Sequence, residues 1–273
     1  MPQGKGQALA RPAFQIAPGA HGDDGFFSQT DWALALRHQA GSVGITLSAE
    51  QGDAWLGSSR RAESLYYGLR EKRPTHSFGL AVDRRLAGVE ASLGLTWMQE
   101  SETVLGGYFH EVLGVNGADS AFLDLGARRD LGGGWQMGAD WRQGITVPRG
   151  GSAMLAGGSR LVSTAWSFDL ARSGVFGPRD GVALRVSQPL RVSSGGLNLQ
   201  LPVAYDYATE SAIFGLQRFN LAPDGREVMG ELAWRGPVWW GRGAASLFYR
   251  RDPGHRTDTP DDAGIVVRWD AEF

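Results

Sequence analysis

Apolar and polar side chains alternate with a period of two along most of this chain. The last such stretch sets Ala263, Ile265, Val267, Trp269 and Ala271 on one side of the backbone. A period of two predicts a β-strand with one apolar face and one polar face. The same alternation recurs in stretches such as TDWALALRH, GVEASLGLTWMQE and GAASLFYRRD, and helical periodicity is nearly absent. The pattern therefore predicts an all-β, antiparallel protein.

The length of the alternating stretches favours strands that cross a membrane. They run to roughly 9–12 residues, which is close to what a tilted strand needs to span a bilayer, whereas strands of soluble proteins centre nearer about 5–6. In an outer-membrane barrel the apolar face meets lipid and the polar face lines the lumen. The residues predicted to line that lumen, as internal salt bridges or as determinants of ion preference, are Glu90, Asp140, Arg142, Arg185, Arg268 and Asp270. The prediction is a transmembrane β-barrel, and a soluble β-sandwich or solenoid is the alternative.

Strand number and connections are consistent with this fold. Up to fourteen candidate strands can be marked, of which AESLYYGLREK and IFGLQRFNL are the least regular. Bacterial single-chain barrels have even strand numbers, so twelve or fourteen strands are predicted. Short turns such as RRLAG, DLGGG and RGPVWWG alternate with long connections such as DPGHRTDTPDD. Outer-membrane barrels place short turns on the periplasmic side and long loops outside.

The chain divides into a linker or tail, residues 1–27, and a barrel domain, residues 28–273. Three prolines interrupt the first part, which we expect to be able to thread the lumen. No run approaches the ~20 apolar residues of a transmembrane helix. The first residues also lack the apolar core of a signal peptide, so an exported protein would have its true N-terminus elsewhere, and this sequence would be a fragment or a processed product.

Composition excludes several other chemistries. The chain has no cysteine, so thiolate metal sites and disulfides are excluded. Its net charge is −2, which gives no support for nucleic-acid binding. The five histidines lack metal-ligand spacing, and the string GGSAM lacks the context of a subtilisin-type nucleophile. A barrel lipid hydrolase using His110, Asn116 and Ser120 is an enzymatic alternative. The sequence otherwise predicts no catalytic residue and no cofactor.

Four stretches resemble a known family: LVSTAWSFDL, RVSQPLRVSSGGLNLQLPVAYDY, FNLAPDGRE and FYRRDPGHRTDTPDDAG. They are similar to the C-terminal translocator barrel of autotransporters, in particular those that carry a subtilisin-type serine peptidase as passenger. The resemblance is specific over residues 159–273 and looser over 28–158. It implies a barrel of twelve strands in the bacterial outer membrane that anchors the protein and supports surface export of an upstream passenger. A free-standing small outer-membrane channel is the alternative.

The resemblance also assigns partners to the chain. Gly264, Val267, Trp269 and Phe273 approximate the signal that the barrel assembly machinery reads, although the family usually has an aromatic or larger apolar residue at position 267. The other implied partners are outer-membrane lipid and lipopolysaccharide. Arg250 and Arg251, near a strand end, are candidates for bidentate contacts with lipid phosphates.

Overall fold

The computed structural model describes residues 14–56, 71–150 and 154–271, and over these residues the protein is an all-β structure. The strands are β1 (Ser28–Ala40), β2 (Val43–Trp55), β3 (Lys72–Leu86), β4 (Val89–Ser101), β5 (Thr103–Val104), β6 (Gly107–Tyr108), β7 (Val115–Gly132), β8 (Trp135–Gly150), β9 (Arg160–Ser173), β10 (Gly181–Asp206), β11 (Ser211–Asn220), β12 (Val228–Val238), β13 (Gly241–Arg251) and β14 (Asp262–Ala271). Phe273 and most of AESLYYGLREK lie outside the described residues. The described part contains no helix long and apolar enough to cross a membrane.

Twelve of the strands form one antiparallel sheet. Its order is β1-β2-β3-β4-β7-β8-β9-β10-β12-β13-β14, with β11 attached to β10, while β5 and β6 form a separate small hairpin. The prediction of twelve antiparallel strands is thereby confirmed. Within the described residues no pairing joins β1 to β14, so closure into a barrel stays a prediction. Eleven strands lie along the path, each antiparallel to the next, and the two edge strands therefore run in the same direction.

Strand β10 departs from the alternation of the sequence, in which the separate stretches GVALRVSQPL and LNLQLPVAYDY predict two strands. The structure joins them into one strand of 26 residues. Register shifts at Gln188/Arg191 and Val192/Ser194 absorb the break that Pro189 and the glycines suggest. The first part pairs with β9 and β12, and the part after Gly196 pairs with β11. The stretch IFGLQRFNL is thus confirmed as a strand, although it belongs to a side hairpin rather than to the path of the sheet.

The short turns between neighbouring strands of the main path lie at one end of the sheet, called here the turn end; the opposite end is the loop end. The predicted turns RRLAG, DLGGG and RGPVWWG are confirmed, since each joins two adjacent antiparallel strands. Ala87 and Trp239 adopt positive φ of 48° and 51° there, as tight hairpin turns require. The long connections, at residues 102–114 and 252–261 among others, lie at the loop end.

The two faces of the sheet have opposite chemistry. Large apolar side chains on one face are exposed; Leu95, for example, is 53% accessible. On the other face Arg142 is 1% accessible and Glu231 is fully buried. These two faces are called below the apolar face and the polar face. A soluble sheet would bury the apolar face, so this distribution is the reverse of that in a water-soluble β-protein.

Gly144 on β8 gives a test of the packing on the polar face. A Cβ at this position would lie 2.4 Å from Ser163 Oγ and 2.6 Å from a ring carbon of Phe122. We expect Gly144→Ala to lower the free energy of unfolding by about 1–3 kcal/mol, because the buried neighbours must shift. Urea unfolding followed by tryptophan fluorescence measures the change. The matched control is Gly230→Ala, where a Cβ meets nothing within 4 Å; an equal loss in both variants would contradict the packing described.

Candidate functional site

The polar face is not empty: residues 14–27, called here the inner segment, lie across it. The segment has no regular secondary structure. It contacts side chains of β8, β9, β10, β12 and β13 through hydrogen bonds that span more than a hundred residues of sequence. His21 also lies 3.8 Å from Asp124 on β7. The inner segment therefore lies on the polar face, and its position in the lumen of a barrel stays a prediction.

Glu231 binds the beginning of the inner segment. Its carboxylate accepts hydrogen bonds from the backbone N–H groups of Gln15, Ile16 and Ala17, at 2.7, 3.0 and 2.6 Å. The Gln15 side chain also donates to Ser246 Oγ at 3.3 Å. A fully buried carboxylate requires such donors, because burial without them is costly. The three N–H groups supply them.

Arg185 fixes the next part of the segment. Its guanidinium makes two 2.7 Å hydrogen bonds to Asp169 on β9 and donates to the carbonyl of Ala17 at 3.1 Å. The same group lies over the ring of Phe14, 4.1 Å from the centroid. Arg185 therefore connects β9, β10 and the inner segment.

Arg142 forms the centre of a second cluster. Its Nη1 donates to both oxygens of Asp124 and its Nη2 donates to Asp24 of the inner segment, all at 3.0 Å. The guanidinium also lies 4.0 Å from the ring centroid of Phe122. Burial raises the pKa of Asp24 to about 6, although the positive charge of Arg142 opposes the shift. The cluster joins two strands and the inner segment around one buried cation.

The end of the inner segment is fixed near the loop end. Asp23 Oδ2 accepts the N–H of Leu190 at 2.7 Å, and Nε2 of His255 lies 3.1 Å from the carbonyl of the same leucine. Burial lowers the pKa of His255. Nearby, the loop that contains Gly106 packs closely against Phe26, because a Cβ at Gly106 would lie 2.4 Å from that side chain.

All six predicted lumen residues lie on the polar face, as the strand registers show. Asp140 is buried and lies 3.2 Å from Arg128. Arg268 and Asp270 pair with each other at 2.9 Å and are exposed, and Glu90 is exposed near the turn end. Only Arg142 and Arg185 contact the inner segment.

The two arginines predicted to bind lipid phosphate separate in the structure. Arg250 lies on the polar face and pairs with Asp262, with Glu227 3.9 Å away. Arg251 points to the apolar side and is 71% exposed. The geometry therefore gives Arg250 an internal ion pair and leaves Arg251 as the residue accessible to a lipid headgroup.

The predicted assembly signal divides between the two faces of β14. Gly264 lies on the polar face, and Val267 and Trp269 lie on the apolar face. Trp269 also contacts Trp239 and Trp240, with ring centroids 6.4 and 5.9 Å apart. Phe273 lies outside the described residues.

Ser120, the nucleophile considered for lipid hydrolysis, does not lie on the apolar face. Ser120 lies buried on the polar face, where its hydroxyl pairs with Thr146 Oγ1 at 2.8 Å. His110 Nδ1 accepts the N–H of Val112 within the loop after β6. Among residues 14–56, 71–150 and 154–271, no group of three or more His, Asp or Glu side chains could hold a metal ion.

Sequence reasoning missed Glu231, Asp124 and Asp24. Glu231 and Asp124 occupy polar positions of regular alternating strands. Each is the neighbour of a leucine on the apolar face, Leu232 or Leu125, so the alternation alone predicts that both face the polar side. Their partners in the inner segment cannot be found in this way, because that segment has no periodicity.

Comparisons of the chain with protein-family models, with curated proteins and with solved structures found no match. The functional argument therefore depends on the geometry.

Removing the charge of Arg142 tests the central cluster. We expect Arg142→Met to lower the free energy of unfolding by about 3–5 kcal/mol, because Asp124 would remain buried without its cation. Urea unfolding in detergent measures this. Arg268→Met, which removes a cation from an exposed pair, is the control and should cost about 1 kcal/mol or less. Similar losses in the two variants would contradict the role of Arg142.

Asp24 predicts a pH dependence. An acid whose pKa is raised in the folded state binds a proton before the unfolded chain does, so folding is favoured as the pH falls through about 6 towards 3.8, the ordinary pKa of aspartate. We expect Asp24→Asn, which resembles the protonated acid, to be more stable than the wild type at pH 8. About half of the difference should remain at about pH 5, and it should vanish only below about pH 4. A difference that is constant from about pH 4 to 8 would show that ionisation of Asp24 is not responsible.

Proposed function

We propose that the chain is the outer-membrane β-barrel translocator domain of an autotransporter, which anchors an upstream passenger and supports its export to the cell surface. The observation that carries the proposal is the polar face occupied by the inner segment, behind a sheet whose other face is apolar and exposed. A barrel built from this sheet would direct its apolar face to lipid and its polar face to a hydrated lumen.

Two features of the apolar face support a membrane environment. Large side chains follow one another across neighbouring strands, as in the row Leu184, Leu232, Leu247 and Ile265, each of which is at least 43% accessible. At the turn end, Trp239 and Trp240 are 82% and 66% accessible and contact Trp269. Tryptophan clusters of this kind are typical of membrane–water interfaces.

The inner segment supports a translocator over a free-standing channel. It occupies the polar face from residue 14 to residue 27 and continues into β1. The buried hydrogen bonds of Glu231 and Arg185 hold the segment in the space that a channel would need for ions. The polar face is thus arranged to hold a chain.

Export of a fused epitope tests the proposal. A short epitope is placed ahead of Met1, behind a secretion signal, and the fusion is produced in a Gram-negative host. We expect the protein in the outer-membrane fraction, migrating faster on gels without boiling, with the epitope removed by protease from intact cells. The control is the same fusion lacking Phe273, which should insert poorly.

Protection of the epitope in intact cells, together with normal insertion of the barrel, would contradict the translocator function. Ion conductance in planar bilayers would then test the channel alternative.

A further inference from the structure

Two chemically different kinds of contact hold the inner segment. Its first part, from Gln15 to Ala20, is bound mainly through main-chain atoms, with one side-chain hydrogen bond from Gln15 to Ser246. Glu231 accepts three backbone N–H groups, Arg185 donates to a backbone carbonyl, and Ser167 Oγ accepts the N–H of Ala20 at 3.3 Å.

The second part of the segment is bound through its side chains. Asp24 pairs with Arg142, Asp23 accepts the N–H of Leu190, and His21 lies 3.8 Å from Asp124. These contacts depend on the two neighbouring acids at positions 23 and 24. A chain without them would lose this half of the binding.

Main-chain recognition does not distinguish between sequences, because every residue except proline carries the same N–H and C=O groups. It also leaves a carboxylate on the sheet that needs hydrogen-bond donors from a bound chain. Glu231 is fully buried, and its carboxylate receives three N–H donors from the inner segment. When that segment leaves, the carboxylate loses these donors and needs replacements, from water or from another chain. Any unfolded chain that bends on this face as residues 15–17 do could supply equivalent N–H groups.

We propose that the surface formed by Glu231, Arg185 and Ser167 is a binding site for unfolded polypeptide, recognised through its backbone with small side chains at the positions where Ala17 and Ala20 lie buried, and that its occupant during export is the unfolded exported chain. Asp23 and Asp24 act as the sequence-specific latch that makes the inner segment the final occupant. The identity of the transient occupant rests on the proposed function. The mode of binding, through the backbone, does not.

The experiment measures how firmly the inner segment is seated. The chain has no cysteine, so Ala20→Cys, at a position that is 1% accessible, introduces a single thiol that maleimide can label only when the segment leaves the face. Labelling rates are measured on the full chain in detergent micelles. In that background, Ile16→Ser changes a side chain and keeps the N–H, whereas Ile16→Pro removes the N–H that Glu231 accepts.

We expect Ile16→Ser to label at the rate of the Ala20→Cys protein, and Ile16→Pro to label about tenfold faster or more, because a hydrogen bond to a charged group is lost. Glu231→Gln keeps the volume of the side chain but replaces one acceptor oxygen by a donor group, and it should accelerate labelling to a similar extent. Asp23→Ala combined with Asp24→Ala should also accelerate labelling, through the latch.

Equal acceleration by Ile16→Ser and Ile16→Pro would overturn backbone recognition, and so would unchanged labelling in both Ile16→Pro and Glu231→Gln. Unchanged labelling in the Asp23/Asp24 double variant would overturn the latch. Gel migration without boiling identifies any variant that fails to fold. If Ile16→Pro does not fold, the labelling rate of Glu231→Gln decides whether backbone recognition holds. These readouts need no membrane and no passenger, so backbone recognition can hold even if the fused epitope is not exported.

Discussion

The structure depends on neutralising charges that are buried on one side of a single sheet. Arg142 is almost inaccessible, and its compensation comes from two directions: Asp124 on the adjacent strand and Asp24 on the inner segment. Removing charges from water is expensive, and only close opposite charges and hydrogen bonds offset that expense. The sheet supplies part of the compensation itself. The rest comes from a segment that lies outside the sheet, which makes the inner segment a component of the fold.

This division explains how much the sequence could predict. Alternation with a period of two is local, so the strands, the tight turns and the side on which Arg142, Asp140 and Arg185 lie could all be predicted. Pairing partners depend on register, and Arg250 illustrates the limit, because its pairing with Asp262 becomes visible only once β13 and β14 are aligned. The partners of Glu231 are backbone N–H groups more than 200 residues away, and no sequence pattern identifies those. The continuity of β10 was hidden for a related reason, since its irregular positions are accommodated by bulges that only the neighbouring strands define.

The direction of the edge strands adds a constraint on any closed form. Because eleven strands lie along the path, β1 and β14 run the same way, and direct pairing between them would be parallel. The other pairings of the sheet are antiparallel. An antiparallel seam would require an additional strand between the two edges. The two edge strands therefore cannot pair with each other in the antiparallel way that the interior strands do. This holds whatever the apolar face contacts.

Binding of the inner segment and stability of the sheet consequently depend on the same buried charges. A polar face that buried fewer charges would not need an occupant, and it would also have nothing with which to bind one. Glu231 and Arg142 reconcile both demands by different means: Glu231 accepts generic main-chain donors, whereas Arg142 pairs with Asp24, a particular side chain. The first contact tolerates exchange of the bound chain, and the second favours one chain over others. A surface that combines the two can hold successive occupants and still end in a single, stable arrangement.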